Sequence, residues 1–504
     1  MIQIRSPRVH ARRLATILAP VFVFLALVSW GLASPVGASP DDDFHLNSIW
    51  CGDGFRDGLC EPAATPDKRL VPGPLGASAC FAFNSRQGAS CQTAVGLSSD
   101  SYSMVATPRG NWRGDYPPLF YSVMGVFAGT DLSVSVMLMR AFNAALFVAL
   151  TTTIFLLLPR HRRTALVWGY AITLVPLGMF LVPSTNPSSW AIISAGTLWG
   201  ALLGYFESAG WRKAALGTLA ALSTVIGAAA RADAAVYAVI AIGVVVLLTA
   251  RRERKFVVSL VLPVALVLIS SYFYLSSGQS AVSGAGLPSP SGQAGGWMHF
   301  FVADVMEVPS LWAGALGLSG LGWLDTPMPA VVWLCSIAVC CSIAFTGIHH
   351  TFRRKSVAVI LVFAALWAIP TYVLVRSRVP VGEQVQPRYI LPLIIILAGL
   401  TLLQRRTQSL SLSRTQITVI VAALSLANAL ALHADIRRYV TGTDITSWNL
   451  DTAAGWWWGF APSPMTLWSI GSVSFAGAVA LLAILLWPRA QDATAGETAA
   501  SALA

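Results

Sequence analysis

The amino-acid sequence predicts an all-α, polytopic integral membrane protein with about twelve transmembrane helices. Of its 504 residues, 55% are hydrophobic and only 11% are charged, with a mean hydropathy of +0.66, whereas soluble domains carry about 25% charged residues. Apolar runs of about 20 residues, long enough to cross a bilayer as a helix, recur through the chain. The basic residues cluster in every second connection between these runs. These three observations together predict the fold class.

The first apolar run, residues 14–33, follows a basic segment, residues 1–13, that we predict to be a cytoplasmic N-terminus. A cleaved signal peptide is the alternative, since the stretch GLASPVGA contains small residues suited to a cleavage site. The run is about 20 residues long, however, and the hydrophobic regions of signal peptides usually have about 7–15. We therefore expect the run to remain as the first transmembrane helix.

The second apolar run starts only near residue 133, so residues 34–132 are predicted to form one long extracytoplasmic loop. Residues 133–487 then form the rest of the bundle, about eleven helices by the number of apolar runs, and residues 488–504 form a cytoplasmic tail. The runs lie near residues 133–158, 164–183, 188–206, 214–230, 234–250, 257–275, 329–348, 356–375, 389–404, 414–433 and 465–487.

The distribution of charge sets the expected orientation. With the N-terminus inside, the cytoplasmic connections carry most of the 33 lysines and arginines and few acids, as in the clusters at 160–163, 251–255 and 353–355. This is the positive-inside rule, and it explains the net charge of +11 without nucleic-acid binding. Both termini are therefore expected in the cytoplasm.

The cysteines of the 34–132 loop predict disulfide bonds. Cys51, Cys60, Cys80 and Cys91 are an even set confined to an exported loop, which indicates two disulfides with three connectivities open. Zinc binding is the alternative, but no paired CxxC spacing supports it. The three remaining cysteines lie within a span. The segment SSGQSAVSGAGLPSPSGQAGG, residues 276–296, is predicted to be a flexible outer loop.

The stretch SPDDDFH, residues 39–45, places three carboxylates and an imidazole just after the first span. As a helix start it is well formed, because Ser39 can be the N-cap, Pro40 suits the first helical position and Asp42 completes a capping box. This leaves His45 unexplained. On a helix, Asp41 and Asp42 share a face with His45. Such a group can supply a general base, or can hold a divalent cation, Mg²⁺ or Mn²⁺, through Asp42 and His45.

An acidic pair in the first outer loop, directly after the first span, resembles the GT-C superfamily of membrane glycosyltransferases. SPDDDFH is similar to the SPDEPAH signature of the bacterial membrane family named domain of unknown function 2142, with Asp41, Asp42 and His45 at the positions of its Asp, Glu and His. A second register, DDFH at residues 42–45, resembles the DEVH motif of protein mannosyltransferases. The two registers leave open which aspartate is the base, and we favour Asp41.

Two further stretches carry the same resemblance. YPPLFY, residues 116–121, is similar to the PPLYY segment of such enzymes, and QPRYILP, residues 386–392, is similar to the family's QGRYLLP, with Pro387 replacing glycine. The resemblance covers most of the chain in matching order and topology. It implies transfer of a sugar from a polyprenyl-phosphate carrier at the outer face of the membrane, with inversion at the anomeric carbon.

Three arginines are candidates for substrate binding, each with a structural alternative. Arg388, at the outer entrance of a span, can hold a lipid phosphate through its planar fork, or it can anchor the helix end. Arg231, in a short outer turn, can bind substrate or pair with Asp233. Arg140 is costly to bury within its span and is therefore a functional candidate, or it can pair with an acid of the bundle.

Three aromatic residues are candidates for contact with the substrate. Tyr116 and Tyr389 belong to the two stretches that resemble the family, and Trp457 is the middle residue of a tryptophan triplet in the last outer loop. Sugar rings stack on aromatic faces. An interfacial aromatic belt is the alternative reason for the triplet.

We therefore expect a glycosyltransferase in the bacterial cell membrane that uses a lipid-linked sugar and modifies an envelope glycan or a protein. Asp41 or Asp42 deprotonates an acceptor hydroxyl, and polyprenyl phosphate leaves against the charge of Arg388 and a cation near Asp42 and His45. A transporter or flippase of a lipid-linked saccharide is the main alternative, and a non-catalytic scaffold is a third. Transporters usually contain repeated halves with a site at the membrane midplane, and the sequence shows no repeat.

Overall fold

The computed structural model describes residues 7–97, 102–287, 296–349, 351–405, 410 and 412–486, and most of these residues are helical. The predicted tail, residues 488–504, lies outside these ranges. The strands are β1 (Glu61–Pro62), β2 (Arg69–Pro72) and β3 (Met104–Thr107). The helices are α1 (Pro7–Ala33), α2 (Asp42–Trp50), α3 (Gly73–Ala77), α4 (Gln92–Val95), α5 (Leu119–Gly125), α6 (Leu132–Leu157), α7 (Arg160–Ala171), α8 (Leu177–Leu181), α9 (Ser188–Glu207), α10 (Gly210–Ala228), α11 (Ala232–Thr249), α12 (Arg254–Ser259), α13 (Val261–Leu275), α14 (Val282–Ala285), α15 (Trp297–Ala315), α16 (Ala330–Ile348), α17 (Arg353–Ser377), α18 (Pro387–Thr401), α19 (Arg414–Val440) and α20 (Pro464–Leu486).

Residues 34–132, here called the outer segment, contain short helices and an antiparallel sheet in the order β1-β2-β3. Two disulfides join Cys51 to Cys60 and Cys80 to Cys91. The prediction of two disulfides is confirmed, and the connectivity is the one that pairs neighbours in sequence. Because all four cysteines of the segment are bonded to each other, the zinc alternative is excluded.

Nine helices of the described residues are long and apolar enough to cross a membrane. They agree with nine of the twelve runs predicted from the sequence, beginning with Arg12–Ala33 and ending with Pro464–Leu486. A multi-pass membrane protein is therefore the architecture that the fold supports. The number of twelve spans is not confirmed.

The other three predicted runs form different structures. Run 164–183 is broken, because α7 ends at Ala171 and Pro176, which lacks an N–H, separates it from the five-residue α8. Run 214–230 forms α10, whose first turn carries Arg212 and Lys213 and which is not among the nine apolar helices. Run 389–404 forms α18, which is apolar but has only 15 residues.

Helix α15 lies between two predicted runs, in a connection where no transmembrane helix was predicted. It has 19 residues and includes Asp304, Glu307 and Pro309, which is why no apolar run marked it. It packs against α17 and α18, and the rings of Trp312 and Trp367 lie 4.6 Å apart. Of the segment 276–296, residues 288–295 lie outside the described ranges, and the described part contains the short helix α14.

Loops at the same end of the bundle contact one another, as expected for loops on the same side of a membrane. At one end, Arg162 pairs with Glu207 at 2.6 Å and donates to the carbonyl of Gln404. Lys355 donates to the carbonyls of Gly347 and Leu403 at this end. The connections predicted as cytoplasmic therefore gather together, and their cytoplasmic location stays a prediction. The acidic stretch lies at the opposite end, after α1.

Candidate functional site

The stretch SPDDDFH, residues 39–45 and here called the acidic turn, has an unusual backbone conformation at Asp41. Asp41 is the N-cap of α2 and adopts φ 59° and ψ 22°, the left-handed region, without a capping bond from its side chain. The helix therefore begins at Asp42, so the predicted start with Ser39 as N-cap and Pro40 in the first turn is wrong. A left-handed non-glycine residue costs about 1–3 kcal/mol, and such residues cluster at functional sites.

Asp42 holds this turn from inside the protein. It is fully buried, and its Oδ2 accepts the backbone N–H of Ser39 at 3.0 Å while its Oδ1 accepts the hydroxyl of Thr185 at 2.9 Å. Burial raises the pKa of Asp42 to about 7, against the lowering effect of the Arg140 charge and of these hydrogen bonds. Since both of its oxygens are engaged within the protein, Asp42 is placed to support the turn rather than to meet a substrate.

Asp41, the carboxylate that precedes Asp42, is accessible and is paired with two arginines. Its side chain is 37% exposed, with Oδ2 at 2.6 Å from Nη2 of Arg388 and Oδ1 at 3.4 Å from Nη2 of Arg109. Burial alone would raise the pKa of Asp41, but the charges of Arg388 and Arg109 and the hydrogen bond from Arg388 together hold it below its ordinary value. The structure thus presents an ionised carboxylate at the surface of the site.

Arg388 is almost fully enclosed and has donors to spare. Its side chain is 3% exposed, and Nη2 donates to Asp41 and to the hydroxyl of Tyr389 at 3.0 Å. Its Nε and Nη1 are buried without a hydrogen-bond partner in the described part of the chain. Buried polar groups normally have partners, so this guanidinium is suited to accept an anionic ligand.

Arg231 and Arg388 share the ring of Tyr389. Their guanidinium carbons lie 4.8 and 4.9 Å from its centroid, and Arg231 also lies 5.7 Å from the ring of Tyr116. Arg231 forms a two-bond pair with Asp233, from Nε at 2.9 Å and from Nη2 at 2.8 Å. The structural alternative for Arg231 is therefore present, and Arg388 is the arginine with unused donors.

His45 lies on the aromatic side of the site. Its Nδ1 is 2.9 Å from the hydroxyl of Tyr121, and its ring contacts those of Phe44 and Tyr116 at 5.4 and 5.3 Å. Burial lowers the pKa of His45 to about 3, although the Asp41 charge opposes this. The imidazole is therefore neutral at physiological pH, and its Nε2 is buried without a partner among the described residues.

The predicted cation site does not fit these contacts. Divalent cations such as Mg²⁺ take several oxygen ligands, but both oxygens of Asp42 already accept hydrogen bonds from Ser39 and Thr185. The described ranges contain no group of three or more His, Cys, Asp or Glu side chains that could hold a metal ion. The residues present therefore do not form a site for a divalent cation.

Arg140 lies beneath the turn and binds backbone. Its Nη1 donates to the carbonyls of Gly31 and Ser34, and its Nη2 donates to that of Pro35 at 2.7 Å. The carbonyls at the end of a helix have no partners within it, so Arg140 caps α1 and its following turn. These contacts support a structural role, in place of the substrate contact predicted from its burial.

Trp457 packs against a small hydrophobic cluster that contains Ala38, Phe81, Trp323 and Tyr439. Its ring lies 6.3 Å from that of Tyr439 and 4.5 Å from that of Trp456, beside the Cys80–Cys91 disulfide. These contacts join the last outer loop to the outer segment. Packing therefore accounts for the position of this loop, so the sugar-stacking prediction for Trp457 gains no support.

Three polar residues at the site escaped prediction. Arg109 donates from Nε to Asp43 at 2.7 Å as well as contacting Asp41, Thr185 holds Asp42, and Asn186 donates to the carbonyl of Pro40 at 2.7 Å. All three belong to outer connections far from the acidic stretch in sequence. The positive-inside pattern predicts that they lie on the same side of the membrane as the acidic stretch, but nothing in their spacing pairs them with it.

Comparison with known protein families matches most of the chain to a family model. A family model described as "Predicted membrane protein (DUF2142)" matches residues 24–397. This range includes the acidic turn, the outer segment and Arg388. No curated protein matches the chain.

Proposed function

The chain belongs to the DUF2142 family of predicted membrane proteins, and we propose that it is a membrane glycosyltransferase of GT-C type. It takes a sugar from a polyprenyl-phosphate donor and transfers it to an envelope glycan at the outer face of the bacterial membrane. One observation carries the proposal. An accessible, ionised carboxylate, Asp41, is paired with a buried arginine, Arg388, that has two donors left unpartnered by the described residues.

Asp41 is the general base. The acceptor hydroxyl gives its proton to Asp41, and its oxygen bonds to the anomeric carbon of the sugar as the bond between that carbon and the phosphate oxygen breaks. Attack from the side opposite the phosphate inverts the configuration. Arg109, whose side chain is half exposed, is the partner that an incoming acceptor displaces from Asp41.

Arg388 receives the phosphate. Its free Nε and Nη1 match phosphate oxygens, and charge-assisted hydrogen bonds of this kind are roughly twice as strong as neutral ones. The same guanidinium lowers the pKa of Asp41 in the absence of donor. A phosphate at Arg388 adds a negative charge beside Asp41, so it raises the pKa of the carboxyl and makes it a better base.

The position of Arg388 suits a donor held in the bilayer. Arg388 is the second residue of α18, whose 15 residues span about 22 Å at 1.5 Å per residue, less than the hydrocarbon thickness of about 30 Å. The other end of α18 lies with the predicted cytoplasmic loops, since Gln404 contacts Arg162. We therefore expect Arg388 to lie deeper in the bilayer than the outer end of a full-length transmembrane helix. The positive end of the α18 helix dipole adds to the attraction of this position for a phosphate.

The test is mass spectrometry of the cell-envelope glycans in a strain that lacks the protein and is complemented with variants. The wild type is expected to restore one sugar that the deletion strain lacks, and Asp41→Asn is expected to leave it missing, because loss of a general base costs about 10²–10⁴-fold in rate. Asp67→Asn is the matched control, since Asp67 lies on the surface of the same outer segment.

Two outcomes contradict the proposal. Full restoration of the glycan by Asp41→Asn at normal expression removes Asp41 as the base. Accumulation of a complete lipid-linked saccharide in the deletion strain, with no single sugar missing from it, indicates the transporter alternative.

A further inference from the structure

We propose that a cavity in the outer segment, lined by Phe55, Arg69, Asn111 and Trp112 among others, binds the acceptor saccharide at a distance from the reacting hydroxyl. The cavity, here called the outer pocket, has a volume of about 270 Å³. The identity of the ligand rests on the proposed function, because the ligand is taken to be the glycan whose hydroxyl Asp41 activates.

The aromatic lining of the outer pocket is held in place by specific contacts. The indole Nε1 of Trp112 donates to the carbonyl of Thr107 at 3.2 Å. A Cβ at Gly110 would lie 2.3 Å from the Trp112 ring, so glycine at this position makes room for it. Phe55 is 59% exposed. An exposed phenylalanine and a fixed indole that line one cavity present apolar ring surface of the kind on which sugar rings stack.

The polar lining supplies donors. Arg69 lies 5.4 Å from the ring of Phe55 and 5.8 Å from that of Trp112, which orients its guanidinium along the pocket wall. Only its Nη1 is engaged within the described chain, with the carbonyls of Pro66 and Lys68 at 2.8 and 2.7 Å. Its other N–H groups are available to sugar hydroxyls or to an anionic group on the sugar.

Two residues, Tyr121 and Arg109, connect the outer pocket to the acidic turn. Tyr121 lines the pocket, and its hydroxyl contacts Nδ1 of His45. The loop that supplies Asn111 and Trp112 also supplies Arg109, which contacts Asp41. A ligand in the pocket and an acceptor hydroxyl at Asp41 would therefore touch the same wall of the protein.

The separation between the two places favours an extended ligand. Cys51, next to the C-terminal end of α2, lines the pocket, whereas Asp41 precedes the first residue of that helix. Nine residues of helix span about 13 Å at 1.5 Å per residue. The pocket is thus suited to a sugar further along the acceptor chain than the one being modified. Its position in the outer segment, with mixed aromatic and polar walls, distinguishes it from a site for the lipid carrier.

Binding is tested with the purified full-length protein in nanodiscs. The probe is the pool of oligosaccharides released by mild acid from envelopes of the deletion strain, and retained sugars are identified by mass spectrometry. The wild type is expected to retain an oligosaccharide. Trp112→Ala and Phe55→Ala are expected to retain roughly tenfold less, the loss typical of removing one central aromatic contact.

Controls separate loss of binding from loss of folding. Phe83→Ala, at a 78% exposed phenylalanine of the same segment outside the pocket, is expected to bind like the wild type. Phe55→Ala changes an exposed side chain, so it reports on the pocket even where Trp112→Ala unfolds the segment. Equal retention by the wild type and both pocket variants overturns the proposal, as does the failure of the wild type to retain any saccharide.

Failure of the pocket and failure of the proposed chemistry give different results. Weak retention by the pocket variants with normal glycans in the Asp41→Asn strain keeps the pocket and rejects Asp41 as the base. Normal retention by the pocket variants, with the sugar still missing in the Asp41→Asn strain, rejects the pocket and keeps Asp41 as the base.

Discussion

At the residue scale, the acidic turn shows how neighbours of one type acquire different properties. Asp41 is accessible and faces two arginines, and its pKa is held below the ordinary value by their charges against the effect of burial. Asp42 is fully buried, and burial raises its pKa to about 7. The left-handed backbone at Asp41 separates the two side chains. Asp41 is therefore suited to chemistry and Asp42 to support.

The stability of the protein should depend on pH through Asp42. Its folded pKa of about 7 exceeds the ordinary value of 3.8, so the folded protein keeps a proton there that the unfolded chain loses. This contribution is full below about pH 4 and is lost as the pH rises toward 7. Asp42→Asn stays neutral, and its amide can still accept from Ser39 and donate to Thr185. We expect its unfolding temperature to gain on the wild type between pH 5 and pH 8.

The comparison of variant and wild type at each pH cancels the other titrating groups, including His45. Asp67→Asn serves as control, because this exposed carboxyl, with its pKa lowered by a hydrogen bond from Thr65, is ionised throughout this range. A difference between Asp42→Asn and wild type that stays constant from pH 5 to pH 8 would show that Asp42 titrates normally.

At the scale of elements, the outer segment has little regular structure, and its strands have only two to four residues. The Cys51–Cys60 disulfide closes the chain just after α2, and the Cys80–Cys91 disulfide joins the region around Phe81 that packs on Tyr439. Disulfides contribute most where a core is small. The Cys51–Cys60 bond lies at the outer pocket, whose lining includes both cysteines and Trp112.

Alkylation of the denatured protein tests the disulfides. Without reduction, only Cys335, Cys340 and Cys341 should be modified, and after reduction all seven cysteines should be. Replacing both Cys51 and Cys60 by serine should destabilise the outer segment by about 2–4 kcal/mol, as for other short loops. In contrast, Cys340→Ser should only remove one modified site. Seven modified cysteines before reduction would rule out both bonds.

At the scale of the whole molecule, the polar contacts separate into two ends. Asp41, Thr185, Arg231 and Arg388 meet at one end of the bundle, and the connections rich in arginine and lysine meet at the other. Residues that face opposite sides of a membrane cannot meet in this way. The structure thus agrees with the alternation read from the charges, and the orientation of the two ends remains to be tested.

Cysteine labelling in intact cells tests that orientation. In a background with Cys335, Cys340 and Cys341 replaced by alanine, Ala64→Cys in the outer segment should react with an impermeant thiol reagent. Ala209→Cys, in the exposed connection between α9 and α10, should react only after the cells are opened. The opposite pattern would place the acidic turn in the cytoplasm, where the proposed lipid-linked donor is not used.

The sequence by itself determined the class of architecture, nine of the spans, the two disulfides and the stretch that contains the site. These features depend on composition, on the length of apolar runs and on cysteine parity, which are local properties of the chain. Only the tertiary structure decided which aspartate is accessible, that Arg140 caps α1, and that Arg109 and Thr185 join the site. These outcomes depend on contacts between residues up to 347 positions apart, such as Arg388 with Asp41. Burial and pairing determine the charge state of a carboxylate, and neither exists before distant segments of the chain meet.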